Sequence, residues 1–190
     1  YAIEGIKVEK ERLLNLSLAY ESHPDNITPA VMGGFNVASV HENEVKFITK
    51  SIPRTLRAVV VVPNRPISTT LSRKTLPYKY SKEDTIFNIS HSSLLTAAFM
   101  SENWEMLKYA SADMVHQQFR MRHMPELFEV QKTALKNGAL MSTLSGSGST
   151  FFSVAYSEDS QKLELALKEK FPHFRVMSVD FDNNGVKIEI

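Results

Sequence analysis

LRAVVVVP, residues 56–63, is an apolar run broken by a single arginine and closed by a proline. A run this rich in valine, with no polar alternation, reads as a strand covered on both faces rather than one with a wet side. Working outward, the downstream chain predicts a helix in ISTTLSRKTLP (67–77), with Ser68 or Thr69 at its N-cap and Pro77 beyond its end. Helices follow over about 83–100 and 102–118. A further helix starts at Pro125, with Leu127, Val130 and Ala134 on one face, and stops at Asn137-Gly138. Then come a strand in ALMSTLS, the loop GSGS, a strand in TFFSVAY, a helix over 158–170 and a strand in FRVMSVDF. DNNG followed by VKIEI predicts a closing hairpin through an Asn-Gly turn. From residue 56 the order is therefore strand, helices, strand, strand, helix, strand, which is a split βαβ, ferredoxin-like arrangement with extra helices in its first crossover.

Upstream of the run the pattern changes. Residues 8–20 read as a helix with Leu13, Leu16 and Tyr20 on one face and Leu14 and Leu18 beside them. Residues 27–32 read as a short helix stopped by Gly33-Gly34, and FNVASV (35–40) with EVKFITKSI (44–52) as a hairpin around His41-Glu42-Asn43. Pro53 interrupts before the valine run, so the chain divides into 1–52 and 53–190, of overall class α+β.

The composition is that of a globular protein, 43% hydrophobic and 23% charged over 190 residues. A net charge of +1 gives no global field favouring nucleic acid or an anionic membrane, and neither is expected as a partner. Cysteine is absent, which removes disulfides, thiolate nucleophiles and Cys-based zinc sites and suits a reducing cytoplasm. No apolar run is as long as a membrane span, and no secretory signal is visible. The histidines carry no metal signature: His116 and His123 are seven apart, and HExxH does not occur. His91, Trp104 and the methionines read as packing residues.

Three segments can carry chemistry. ESHPDNITPAVMGGF (21–35) packs Glu21, His23, Asp25 and Asn26 before a helix. Asp25 or Asn26 alone would suffice as a cap, yet the group also offers a metal carboxylate, an ammonium partner and hydrogen-bonding groups at a positive helix end. LSGSGSTFF (144–152) is either a tight turn that needs glycine or an anion-holding nest of backbone N–H groups. It is not a Walker loop, and none occurs elsewhere. Arg73 and Arg120 lie near ends of predicted helices, where they complement the helix dipole or grip a small carboxylate with a two-pronged guanidinium.

Together, and in this order, the segments resemble the homoserine kinases among the GHMP small-molecule kinases. ESHPDNITPAVMGGF is similar to the pattern E-x-H-x-D-N-x-A-P-A-x-x-G-G, and ISTTLSRKTLP to S/T-x-x-x-R-x-x-L-P. FNISHSSLLTAAFM resembles N-x-x-x-x-x-L-L-x-A, DMVHQQFRMRHMPEL resembles D-x-x-H-Q-P-Y-R-x-x-x-x-P, and GALMSTLSGSGSTFFSV the third motif, usually G-x-x-x-x-x-L-S-G-A-G-P-[ST]. The matches span residues 21–155; Gln118 stands where proline is usual, and SGSGST replaces an alanine and a proline. The glycine loop of the P-x-x-x-G-L-G-S-S-A-A type is nowhere in the 190 residues, and the chain starts on Tyr1 rather than Met, so it is expected to be the C-terminal part of such an enzyme.

The resemblance implies a remnant of the GHMP N-terminal ATP-binding domain over 1–52, its second half, and a complete C-terminal domain over 53–190. It implies ATP-dependent phosphorylation of L-homoserine in threonine biosynthesis, with ATP and Mg2+ as cofactors and a cytoplasmic location. Asn26 and His23 would stand at the reacting hydroxyl, and His23, Asp25 and Asn26 beside the acceptor. Asp25 would meet its ammonium, Arg73 and Arg120 would clamp its carboxylate, and Glu21 would be a magnesium ligand. Ser145, Gly146, Ser147 and Gly148 would brace the phosphate loop. The 190 residues alone are expected not to turn over ATP, and a homodimer is compatible with the reading. The alternatives are a GHMP kinase for a mevalonate-like or sugar acceptor, and a non-catalytic ferredoxin-like regulatory module.

Overall fold

The computed structural model describes residues 8–65 and 74–187. They fall into two compact units, one from the chain up to Pro53 with the tail from Phe181, the other from Arg54 to Asp180.

In the first unit, α1 (Lys10–Ser17) and α2 (Pro24–Met32) precede a two-stranded antiparallel hairpin, β1 (Phe35–His41) and β2 (Glu44–Lys50). Glu42 and Asn43, at φ 51° and 64°, form the two-residue turn with both central residues in the left-handed region, whose twist matches that of paired strands. Leu14, Val31 and Val45 make the core, with Leu13, Leu18, Ile27 and Phe47 packed on it. Helix α1 is shorter than its apolar pattern predicts. It ends at Ser17, and Leu16 and Tyr20 stay exposed because Leu14 and Leu13 face inward instead.

Among the described residues no closing hairpin follows the Asn-Gly turn, and residues 188–190 of the expected strand lie outside them. Asn183 instead chelates Ile52, just beyond β2, its Nδ2 donating to the Ile52 carbonyl at 2.9 Å and its Oδ1 accepting from the Ile52 N–H at 2.8 Å. Gly34 N–H donates to the Asp182 carbonyl, and Val186 N–H to the Val31 carbonyl. This close backbone approach is what the double glycine permits. A Cβ on Gly33 would lie 2.5 Å from the Asn183 backbone, and one on Gly34 2.6 Å from the Lys50 carbonyl oxygen. The glycines thus seat the tail as well as stopping α2.

The second unit holds a four-stranded antiparallel sheet in the order β4-β5-β3-β6, from β3 (Leu56–Val62), β4 (Met141–Leu144), β5 (Phe151–Tyr156) and β6 (Arg175–Val179). Strand β3, the valine run, is central, pairing with β5 on one side and β6 on the other. Between β3 and β4 run α3 (Lys82–Ser101), a 3-10 turn (Trp104–Met106), α4 (Leu107–Ala110), α5 (Gln117–Met121) and α6 (Glu126–Lys136); α7 (Ser157–Lys170) connects β5 to β6. That is the split βαβ order with its first crossover enlarged. Helices α6 and α7 cover the sheet, and Val59, Val61, Leu127, Val130, Phe151, Leu163 and Leu167 form the buried centre. Each such leucine, fully covered, contributes about 1.5–3 kcal/mol.

The single helix expected over 102–118 is broken. Glu102 takes a left-handed conformation at φ 57° to end α3, and Trp104 turns in against Phe99, ring centroids 5.7 Å apart. Past α4, Asp113 captures the backbone N–H groups ahead of α5, a local competitor to helix that short polar side chains supply.

Candidate active site

The HPDN segment is built on the start of α2. Pro24 occupies the first turn, its fixed φ suited to that place, and His23 is the N-cap with an extended backbone and no side chain capping it. Asp25 and Asn26 therefore lie inside the first turn and exposed, not at the capping position. The Glu21 carboxylate turns back and accepts from the His23 N–H at 3.2 Å. The segment thus presents a histidine, a carboxylate and an amide at a helix end whose N–H groups are electropositive. Thr28 follows in α2, fully buried, its hydroxyl without a hydrogen-bond partner.

In the second unit the segment Asp113–Arg120 meets the glycine-serine loop. Asp113 is buried beneath the chain that leads into α5. Its carboxylate accepts from the Gln117 N–H at 2.6 Å, the His116 N–H at 2.9 Å and the Asn88 Nδ2 at 2.8 Å. Burial alone would raise this carboxyl; the Asn88 amide and the Gln117 and His116 N–H groups outweigh it and hold the pKa below the ordinary value. His116 is shifted down, first by burial and also by the Arg120 charge, against the opposing pull of Asp113, so its imidazole is neutral near pH 7. Gln117, buried, accepts from the Leu144 N–H at 3.0 Å through its side-chain oxygen.

Arg120 then reaches the loop, its Nη1 donating to the Gly146 carbonyl at 2.9 Å. The loop is closed by Ser145 N–H to the Thr150 carbonyl and Gly148 N–H to the Ser145 carbonyl. Ser149 donates its hydroxyl to the Arg65 carbonyl at 2.7 Å. Gly146 and Gly148 have φ of 54° and 87°. Space above Gly146 is open to 4 Å, whereas a Cβ on Gly148 would press on Leu144.

Of the residues singled out in the sequence, Glu21 and His23 meet each other in the first unit, while Arg120 meets the Ser145–Gly148 loop in the second. Arg73 lies outside the described residues, as does most of the helix expected over 67–77. Among the described residues no group of three or more histidine or carboxylate side chains could hold a metal ion. Sequence reading missed Asn88, Asp113 and Gln117 as members of this assembly. All three stand at fixed places of the quoted motifs, and that was the available signal. By periodicity alone Asp113 reads as one polar position in a long helix that the structure breaks.

Residues 92–173 match the family model described as GHMP kinases C terminal. The chain is 80% identical over 190 residues to the homoserine kinase of Aliarcobacter butzleri, covering 100% of this chain and 65% of that protein. It is 59% identical over 189 residues to the homoserine kinase of a Nitratiruptor species, covering 100% of this chain and 64% of that protein. The chain thus spans just under two thirds of the length of the curated relatives it matches. Among solved structures it is similar to homoserine kinase from Cytophaga hutchinsonii, with TM-score 0.88 at 24% identity, over 96% of this chain and 61% of that one. It is also similar in fold to L. major mevalonate kinase, with TM-score 0.63 at 19% identity, over 92% and 60% of the two chains. Residues 92–173 thus carry the C-terminal domain of the GHMP kinases, by their match to that family model.

Proposed function

We propose that this chain is the C-terminal part of a homoserine kinase, which transfers the γ-phosphoryl group of ATP to the side-chain hydroxyl of L-homoserine to give O-phospho-L-homoserine and ADP. The observation that carries the reading is the 2.9 Å bond from Arg120 to Gly146, since this reading gives that guanidinium to the acceptor carboxylate and that loop to the phosphate side. Identity of 80% to a homoserine kinase along the whole chain supports it.

Phosphoryl transfer asks the protein for positioning and charge neutralisation more than for covalent chemistry. Arg120, with Arg73, grips the acceptor carboxylate, and Asp25 meets its ammonium. His23 and Asn26 orient the acceptor hydroxyl at the start of α2. Asn26 is no base, so the hydroxyl proton leaves with the transferring phosphate. Bound Mg-ATP supplies the electrophilic phosphoryl group. A magnesium ion that takes most of its ligands from phosphate and water needs one or two protein carboxylates, and Glu21, half-buried and tethered through one oxygen, fits that need. Ser145, Gly146, Ser147 and Gly148 brace the phosphate-binding loop of the complete enzyme. In this account 1–52 is the second half of the ATP-binding domain and 53–190 the C-terminal domain, whose tail from Phe181 is shared with the first compact unit, and the enzyme works in the cytoplasm. Among the described residues no helix is long and apolar enough to cross a membrane. The 190 residues alone do not turn over ATP, for want of the glycine loop.

Two truncated acceptors test the reading in the complete protein. 4-Hydroxybutyrate lacks the ammonium that Asp25 meets, and 3-aminopropanol lacks the carboxylate that the arginines clamp. Each should fall below homoserine in kcat/KM by about 100-fold or more, because charged groups covered by the bound acceptor would be left unpaired. Equal use of either analogue would remove the corresponding contact from the account.

A further inference from the structure

We infer that Asp113 and Asn88 form a buried latch that positions Arg120, acting through the backbone of α5 rather than on the substrate. The inference rests on the functional reading above, which makes Arg120 a substrate contact.

Helix α5 has five residues, far fewer than a helix needs to hold itself. The chain that enters it, Ser111–His116, has no regular structure. Two side chains hold it. Asp113 Oδ2 accepts from the His116 and Gln117 N–H groups, and its Oδ1 from the Val115 N–H at 3.2 Å. Asn88, on the long helix α3, completes the set by accepting from the Met114 N–H at 2.7 Å. Four consecutive peptide N–H groups are thus bound by one carboxylate and one amide, and the Asn88 Nδ2 bonds the two side chains together at 2.8 Å.

The Asp113 side chain is 7% exposed, so it cannot touch an acceptor. It is held ionised by its partners despite burial. From the same helix Gln117 takes the Leu144 N–H, one residue before the glycine-serine loop. Helix α5 is therefore suspended between α3 and the end of β4, and it carries Arg120 within its short length. A shift of the helix start moves the guanidinium with it, and a misplacement of about 1 Å in a positioning group can cost about 100-fold.

Asp113→Asn is the sharpest probe, because it keeps the shape but turns an acceptor oxygen into a second donor. It should raise KM for homoserine about tenfold or more while leaving KM for ATP within about twofold. The exchanged pair N88D/D113N restores one carboxylate and one amide and should recover part of the loss. Leu163→Ala, on the buried face of α7, lowers stability without touching the latch and should leave KM for homoserine unchanged. If Asp113→Asn does not fold, hydrogen exchange on the wild-type protein decides. The amides of Met114, His116 and Gln117 should be protected as strongly as those of β3, and exchange at the rate of an open loop overturns the latch. Unchanged KM for homoserine in folded Asp113→Asn, with an active wild type, overturns the latch alone. A wild type without homoserine-dependent turnover overturns the functional reading instead.

Discussion

The Arg120 guanidinium and the Gly146 carbonyl lie 2.9 Å apart, joining the short helix α5 to the loop between β4 and β5. Two motifs separated by 26 positions in sequence become one assembly within a single unit. The assembly does not depend on Arg120 alone, since Gln117 ties the same helix to Leu144.

Removing the guanidinium tests its role directly. Arg120→Ala should raise KM for homoserine by the loss of a charge-assisted contact of about 1.5–3 kcal/mol, roughly 10- to 100-fold. Arg120→Lys should recover little, because an ammonium cannot reproduce the planar two-pronged geometry. Steady-state kinetics in the complete protein measure both, and an unchanged KM in both variants would sink the assignment.

The glycines give a contrast in which backbone strain and close approach separate. Gly33 and Gly138 both have positive φ, 78° and 95°. A Cβ on Gly138 meets nothing within 4 Å, so Gly138→Ala should cost only the conformational term, about 1–2 kcal/mol. Gly33→Ala would also strike the Asn183 backbone at 2.5 Å and should cost about 3 kcal/mol or more. Urea midpoints of the two variants report the difference; equal shifts would mean that the tail does not dock on Gly33.

Thr28 offers the opposite sign. Its hydroxyl is buried without a partner, and a group in that state carries a desolvation cost of about 1–3 kcal/mol. Valine keeps the shape and removes the hydroxyl. Thr28→Val should raise the melting temperature, and a clear fall would show that the hydroxyl has a partner in solution.

His116 sets a pH dependence. Its folded pKa lies below the ordinary histidine value of 6.5, so the unfolded chain takes up a proton first as the medium is acidified. The stability it contributes is present above that value and is lost as pH falls through it towards the folded pKa. Asp113, also shifted down, adds a second loss only below the ordinary carboxylate range. His116→Gln should therefore lose less melting temperature than wild type between about pH 7 and pH 5. Equal slopes would contradict a half-buried imidazole whose pKa is shifted down.

Strong local signals made most of the fold legible. The valine run could only be a covered central strand, and helix α6 buries Leu127, Val130 and Ala134 as its spacing requires. Two misreadings have one physical cause, a short polar side chain bonding the backbone. Asp113 takes N–H groups that a helix over 102–118 would have used, and Asn183 takes both polar groups of Ile52, so among the described residues no hairpin follows DNNG. Periodicity is blind to such contacts because they depend on where a distant segment passes. The charged site residues stood out by motif, and the groups that position Arg120 stand in the same motifs, but their partners are not legible there. Asn88 and Gln117 act through bonds to segments 26 and 27 residues away, which no local pattern announces.

ADP release from the complete protein with Mg-ATP and, in turn, homoserine, mevalonate, galactose and serine decides which acceptor is used. A homoserine-dependent rate far above the other three is expected. A higher rate with mevalonate or galactose would keep the family and cancel the substrate, and silence with all four in folded protein would contradict the kinase reading itself.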